Sequence, residues 1–153
     1  MVNLEGNGVH VAPWGGKGGV NPWTFIPSGR ICEICISASG CVDSIRFTYK
    51  DRDNVKHLSE TYGGDDGSPH TVYLQFTFAD DENLIEISGT VRVYGGYTVI
   101  TSLSFLTNKK KYGPYGTTQG TSFSLPVAKG SFGGFSRNYE DYLDSFSVIL
   151  YPY

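Results

Sequence analysis

Two aspartates stand where an apolar segment of this sequence begins, Asp43 in GCVDSIRFTY and Asp144 in NYEDYLDSFSVIL. A carboxylate in such a place costs desolvation energy unless it has hydrogen-bonding partners or faces water. The Asp144 carboxylate could accept protons from two adjacent hydroxyls, while the backbone N–H groups of Asp141 and Tyr142 donate. Tyr139 or Tyr142 could stack on the apolar face of a sugar ring. The segment therefore predicts sugar binding, against the alternative that Asp144 only caps its own turn.

The same acidic residues offer little for catalysis. Asp141 with Asp144, or Asp65 with Asp66, could supply the carboxylate pair of a glycosidase, but acidic pairs in glycine-rich loops are usually solvated turn residues. The three histidines lie in unrelated local contexts, and the chain has no Gly-x-Ser-x-Gly nucleophile motif. We therefore expect a protein that binds and is not an enzyme.

No metal or cofactor is expected either. The segment GGDDGS (63–68) is acidic, but it lacks the spacing of a calcium loop. Cys32 and Cys35 form a C-x-x-C without the second ligand pair that zinc requires. A redox C-x-x-C should open a helix, whereas this one lies in an alternating apolar segment that predicts a strand. Structural thiols are the better interpretation.

The bulk composition indicates one folded domain over residues 1–153, with 1–8 as a loose N-terminal extension. The net charge is −3 and the largest basic cluster is NKKK at 108–111, which argues against nucleic acid as a partner. No apolar run approaches the ~20 residues of a membrane span, and the N-terminus has no signal-peptide pattern. The expectation is a cytoplasmic protein that does not insert into membranes.

Apolar and polar residues alternate with period two along most of the chain. In TVYLQFTF (71–78) the even positions are apolar, and LIEISGTVRVY (84–94) repeats the pattern with Ile85, Ile87, Val91 and Val93. No segment of eleven or more residues has a convincing helical period. The fold class is therefore all-β with about a dozen short strands, and Pro126 predicts an edge position.

Three segments share one template: VDSIRF (42–47), ITSLSF (100–105) and LDSFSV (143–148). Each reads apolar, Asp or Thr, Ser, apolar, polar, apolar. This repetition predicts three related β units. Two of the three strand starts carry Asp and one carries Thr, as expected if packing is needed three times and a polar site only once or twice.

Four blocks, APWGGKGG, YGGDDGSPH, LTNKKKYGPYGTTQGTSFSLPV and GGFSRNYEDYLDSFSVILY, resemble the jacalin-related lectins of plants, over residues 9–151. The third block is similar to the mannose-binding members in particular. The resemblance implies a β-prism I fold, in which three four-stranded Greek-key sheets surround a pseudo-threefold axis. It also implies metal-independent binding of mannose- or glucose-type glycans and glycoproteins.

The resemblance implies site residues too, through a G-x-x-x-D motif whose Asp matches Asp144. The backbone N–H groups before it match Asp141 and Tyr142, and the N-terminal glycine loop contributes Gly19. Other residues would form a rim: Gly64, Asp65, Gly67, Tyr139 and Glu140. A second site, found in some mannose-binding members, corresponds to Gly40, Cys41 and Asp43.

This chain departs from the motif at its glycines. Glu140 stands at the motif glycine, Arg137 at a nearby glycine, and Ser39 at the glycine of the second site. If those glycines adopt positive φ, another residue costs about 1 kcal/mol or more. The alternative function is therefore a β-prism stress or interaction protein with a weakened or lost sugar site.

The resemblance also implies how the lectin would be used. A chain that runs uncut through its glycine loop at 15–19 resembles the mannose/glucose-binding branch rather than the processed galactose-binding one. One such site binds at about millimolar strength, so useful avidity would need several sites. We expect a homodimer or tetramer, with a role in plant defence or stress.

Overall fold

The structure is a computed structural model, which describes residues 9–16, 19, 21–64, 72–94, 96–127, 131–139 and 142–151. The described residues form thirteen β-strands and no helix, which confirms the all-β class. Nothing in these ranges is a helix long and apolar enough to cross a membrane. The strands are β1 Val9–Gly15, β2 Asn21–Phe25, β3 Arg30–Ala38, β4 Val42–Lys50, β5 Lys56–Leu58, β6 Tyr62–Gly63, β7 Val72–Thr77, β8 Leu84–Tyr94, β9 Tyr97–Thr107, β10 Lys111–Gly116, β11 Thr121–Pro126, β12 Ser131–Tyr139 and β13 Ser145–Tyr151.

The strands assemble into three antiparallel sheets. Sheet A has the order β1-β13-β12-β2, sheet B has the order β5-β4-β3-β7 with β6 also paired to β4, and sheet C has the order β10-β9-β8-β11. Sheet B differs from the expected four strands because its outer strand is split into β5 and β6. Between the two pieces the hydroxyl of Ser59 accepts the N–H of Phe47 at 2.9 Å, so a side chain replaces the backbone carbonyl that would continue the ladder.

The sheets enclose one core, and aromatic rings fill much of it. Phe47 of sheet B stacks between Phe25 and Phe135 of sheet A, with ring centroids 4.7 and 4.9 Å apart. Phe76 of sheet B contacts Phe105 of sheet C at 5.4 Å. Large rings reaching inward from three sheets remove much apolar surface from water, which stabilises the association of the sheets.

The three predicted repeats are present, and their strand starts are joined to one another. Leu143 donates its backbone N–H to the carbonyl of Val42 at 3.0 Å, and Ile100 donates to the carbonyl of Leu143 at 3.0 Å. These are the residues immediately before Asp43, Thr101 and Asp144. Because equivalent positions of all three units meet, the three polar residues share one end of the molecule.

The predicted alternation is confirmed around β7, where Phe76 and, directly after the strand, Phe78 are buried, but not throughout β8. Ile87 is fully buried, whereas Ile85 is 37% and Val93 is 62% exposed. The expectation that Ile85, Ile87, Val91 and Val93 share a buried face is therefore wrong for Ile85 and Val93, whereas Val91 packs against the core as Ile87 does. Leu84 pairs with Thr107 and Glu86 with Leu106, so Ile85 is the extra residue of a bulge, and its side chain turns outward. Val93 lies near the tip of the β8–β9 hairpin, beyond Val91, which still packs against the core.

Two smaller expectations concern a proline and the cysteines. Pro126 lies in β11, which is an edge strand of sheet C as predicted. Cys32 and Cys35 both lie in β3, and neither they nor Cys41 form a disulfide. In the described part of the chain, no cluster of His, Cys, Asp and Glu side chains is placed to hold a metal ion.

Candidate functional site

Asp144 lies in the turn between the last two strands, and we call its surroundings the Asp144 site: Gly15, Gly16, Gly19, Tyr139 and Tyr142–Ser145. β12 ends at Tyr139 and β13 begins at Ser145, with an isolated bridge between Tyr139 and Leu143. This bridge closes the turn and holds Asp144 just before the strand. The residue is only 5% exposed, so its carboxylate is largely removed from water.

The N-terminal glycine loop packs directly against this turn. Gly15 has φ +104°, and a Cβ on it would lie 2.2 Å from the carbonyl oxygen of Asp144. Gly16 donates its N–H to that same oxygen at 3.0 Å. Only glycine combines this φ with so close an approach, so the loop sequence fixes the backbone of Asp144 from the side of β1.

Gly19 lies against the Asp144 carboxylate itself. It has φ +81°, and a Cβ there would be 2.8 Å from Asp144 Oδ2 and 3.0 Å from the backbone nitrogen of Tyr139. The side-chain amide of Asn138 donates to the Gly19 carbonyl at 3.0 Å. Two segments far apart in the sequence therefore meet at one carboxylate, as the sugar-site hypothesis requires.

The two tyrosines of the segment are both half-buried, but their surroundings differ. Tyr139 packs partly against the hydrophobic core, which limits how much of its ring a ligand could cover. Tyr142 follows it in the turn, outside that core cluster. Of the two rings named from the sequence, Tyr142 is therefore the better placed for stacking.

A third loop, which the sequence reasoning missed, reaches the same place. A Cβ on Gly16 would lie 2.4 Å from the carbonyl oxygen of Thr98, so the tip of the β8–β9 hairpin packs on the glycine loop. Beside Thr98, the side chains of Tyr97 and Val93 are 64% and 62% exposed. The glycine doublet at 95–96 was the available signal, because it marks a tight hairpin followed by an aromatic residue.

Asp43 occupies the equivalent place in sheet B. Gly63 has φ +125°, and Gly64 donates its N–H to the Asp43 carbonyl at 3.1 Å, so Gly64 belongs to the surroundings of Asp43. Asp43 is 0% exposed, and its Oδ1 accepts from the Ser39 hydroxyl at 3.3 Å and from the Cys41 thiol at 3.8 Å. Side chains of the protein thus already contact the carboxylate. Gly40, in the same loop, is exposed with open space around it.

The third unit has hydroxyls where the others have a carboxylate. Gly116 has φ +94°, and Thr117 donates to the Thr101 carbonyl at 2.8 Å, so the backbone repeats the pattern. Thr101 Oγ1 lies 2.7 Å from Thr90 Oγ1 and donates to the Gln119 carbonyl at 2.9 Å. Thr101 is fully buried, and its hydroxyl is hydrogen-bonded to other groups of the protein.

Several predicted site residues lie outside the described residues: Asp65, Gly67, Glu140 and Asp141. The backbone of Arg137 is described, and it pairs regularly with Trp23 between β12 and β2. Within the described ranges the only non-glycine residue with positive φ is Asn54. The suspected backbone strain at Arg137 is therefore absent.

Comparison with known proteins places this arrangement among sugar-binding proteins. The family model of the jacalin-like lectin domain matches residues 11–149. A mannose/glucose-specific lectin of Parkia pendula is 38% identical over 160 residues, which cover 98% of this chain and 33% of that protein. The chain thus spans about a third of the length of the Parkia relative.

Solved structures agree with this result. Wild-type Malaysian banana lectin is 33% identical with a TM-score of 0.83, covering 95% of this chain and 99% of its own. A mannose-specific jacalin-related lectin from Morus nigra, solved in complex with mannose, is 31% identical with a TM-score of 0.87 and 99% coverage of both chains. The likeness therefore extends over the whole domain.

Proposed function

We propose that this chain, which belongs to the jacalin-like lectin family, binds mannose- or glucose-type residues of glycans at the Asp144 site. Membership of the family confirms the resemblance found in the motifs, and the family consists of lectins rather than enzymes. The mannose/glucose specificity of the Parkia lectin and the mannose specificity of the Morus lectin support the choice of sugar. The carrying observation is the contact between Gly19 and the Asp144 carboxylate, which brings two loops around one buried acceptor.

In this proposal Asp144 is the central acceptor. Its two oxygens take hydrogen bonds from adjacent sugar hydroxyls, and bonds to an ionised acceptor are shorter and stronger than neutral ones. The backbone N–H groups of 141 and 142 donate to sugar oxygens, and Tyr142 covers an apolar part of the ring. Because the carbonyl of Asp144 is fixed by Gly16, little ordering remains to be done when the sugar binds.

The β8–β9 hairpin would contact whatever is attached to the bound sugar. Tyr97 and Val93 present exposed apolar surface on the loop that packs against Gly16. Exposed apolar surface of this kind is a common place for a ligand to bind, here for the sugar residue that follows the bound one in a glycan. We therefore propose oligosaccharides, rather than free monosaccharides, as the ligands.

The Asp43 site is proposed as a weaker second site that is closed at rest. A sugar hydroxyl could reach Oδ1 only by displacing the Ser39 hydroxyl and the Cys41 thiol that already contact it. Replacing one hydrogen bond by another gains little net free energy. We also propose self-association into a dimer or tetramer, since one millimolar site gives little avidity alone.

A glycan array with matched variants tests the proposal. Asp144→Asn keeps the size of the side chain and removes the charge, while Asp53→Asn makes the same change at an exposed turn residue. We expect mannoside signals for the wild-type protein and for Asp53→Asn, and none for Asp144→Asn.

Two results would contradict the proposal. Absence of binding by the wild-type protein at millimolar mannoside would favour the alternative of an interaction protein whose sugar site is lost, with Glu140 as its cause. Release of reducing sugar from the array glycans would indicate an enzyme.

A further inference from the structure

The face of sheet C that points away from the core carries a cavity of about 350 Å³. Leu103 and Phe105 of β9 belong to the buried core, so the intervening Ser104 lies on the opposite face. The cavity spans all four strands of the sheet, and its volume falls within the range of small-molecule sites. We call it the serine groove, after six of its lining residues: Ser88, Thr90, Ser102, Ser104, Ser122 and Ser124.

Strand register arranges these hydroxyls in two rows across the sheet. One row runs Ser122, Thr90, Ser102, and the other runs Ser124, Ser88, Ser104. In the first row Thr90 and Ser102 are hydrogen-bonded within the protein, because Thr90 Oγ1 lies 2.6 Å from Ser102 Oγ and 2.7 Å from Thr101 Oγ1.

The second row is different, because its hydroxyls have no hydrogen-bond partner in the part of the chain that the structure describes. Ser104 is only 5% exposed, and the surface that it does expose lines the groove. Each serine can both donate and accept, so the row suits a ligand that carries several hydroxyls.

Charge narrows the class of ligand. Lys111 lines the groove, and no ion pair of its ammonium group is found among the described residues, whereas Lys109 nearby pairs with Asp81 at 2.9 Å. No Asp or Glu belongs to the lining residues; Glu86, on the same face of β8, is not one of them. The serine groove thus combines hydroxyls with a cation, while the Asp144 site has a carboxylate and would favour neutral sugars.

We propose that the serine groove binds an acidic saccharide unit, a hexuronate. The hydroxyls of Ser88, Ser104 and Ser124 bond to the ring hydroxyls, the Lys111 ammonium pairs with the sugar carboxylate, and the ring of Pro114 forms an apolar wall. This site is separate from the Asp144 site and does not depend on the proposed function. A glycan with both kinds of residue would engage the chain at two places.

An NMR titration with methyl glucuronide tests the proposal, with saturating methyl mannoside present to occupy the Asp144 site. We expect amide shifts at Ser88, Ser104, Ser124 and Lys111, with a Kd on the order of millimolar at low salt. Methyl glucoside, which has a neutral hydroxymethyl group in place of the carboxylate, should bind about ten-fold more weakly.

Variants distinguish binding in the serine groove from a general attraction of the acidic sugar to positive charge. Lys111→Gln should weaken glucuronide binding about ten-fold, Ser104→Ala should weaken it several-fold, and Ser124→Trp should block it by filling the cavity from the edge strand. Lys109→Gln, two positions away and outside the lining, is the matched control and should bind like the wild-type protein. Asp144→Asn should keep glucuronide binding while losing mannoside binding.

Any of four results would overturn the proposal. The first is the absence of shifts at up to about 50 mM glucuronide, a concentration well above the expected Kd, and the second is equal binding of methyl glucoside. The third is weaker glucuronide binding with mannoside present than in a parallel titration without it, and the fourth is an equal loss of binding in Lys109→Gln. Because mannoside binding is measured in the same samples, failure of the groove is distinguishable from failure of the Asp144 site.

Discussion

Replacing Gly19 by alanine tests whether the contact with Asp144 matters for sugar binding. Gly19 and Gly96 both have positive φ, at +81° and +88°. A Cβ on Gly19 would lie 2.8 Å from Asp144 Oδ2, whereas a Cβ on Gly96 would meet nothing within 4 Å. The two glycines are therefore a matched pair that differs in the space around the added methyl group.

Two effects set the expected magnitudes, the backbone conformation and the space around the added methyl group. An L-residue at such a φ costs about 1–2 kcal/mol, and this term is common to Gly19→Ala and Gly96→Ala. Only Gly19→Ala also forces the Asp144 carboxylate to move, because real Cβ atoms essentially never come within 3.0 Å of another heavy atom. A hydrogen bond to a charged group contributes about 1.5–3 kcal/mol. Losing one such bond to the sugar should weaken mannoside binding by roughly ten- to a hundred-fold.

Two measurements separate the effect on stability from the effect on sugar affinity. Urea unfolding gives the stability of each variant, and calorimetric titration with methyl mannoside gives its affinity. We expect both variants to lose stability, Gly19→Ala more than Gly96→Ala because its Cβ also crowds the backbone of Tyr139, and we expect a loss of affinity in Gly19→Ala alone. Wild-type affinity in Gly19→Ala would refute the argument, and so would an equal loss of affinity in Gly96→Ala.

Two further predictions concern other carboxylates. Ser39→Gly removes the hydroxyl that contacts Asp43 Oδ1, so calorimetric titration should find a second mannoside site per chain. An unchanged stoichiometry would contradict the view that Ser39 closes the Asp43 site. Burial raises the pKa of Glu82, but its hydrogen bonds, led by that from Thr107, outweigh this and hold the pKa below its ordinary value of 4.5. A group whose pKa is lowered in the folded state stabilises the protein above pH 4.5, and this stabilisation is lost as the pH falls through the folded pKa. Urea unfolding at pH 7 and pH 3 should therefore show that acid reduces the free energy of unfolding more in the wild-type protein than in Glu82→Gln. Equal losses in the two proteins would exclude Glu82 as a source of the acid sensitivity.

Residues next to one another in the sequence accounted for much of what could be predicted. The alternation in β7, the edge position of Pro126 and the threefold template around Asp43, Thr101 and Asp144 are local patterns. They follow from the period of a strand and from the turn residues that separate strands. These patterns predicted the class and the number of repeats correctly.

Predictions failed where a strand is irregular. The side chain of Ile85 faces water because Ile85 is the extra residue of a bulge between Leu84 and Glu86, and such a bulge depends on the pairing with β9 as much as on β8 itself. The split of the outer strand of sheet B has a similar cause, since Ser59 bonds to Phe47. Neither contact has a signature in its own segment.

The sequence by itself determined that this is an all-β chain of three repeats with carboxylates at two strand starts, because strand period and turn chemistry are local. Only the tertiary structure decided which residues surround each carboxylate: Gly19 against Asp144, Ser39 and Cys41 against Asp43, and hydroxyls around Thr101. It also decided that Ser104 and Lys111 share one cavity. The reason is physical: these are contacts between separate strands and loops, and register and packing set their distances, not spacing along the chain.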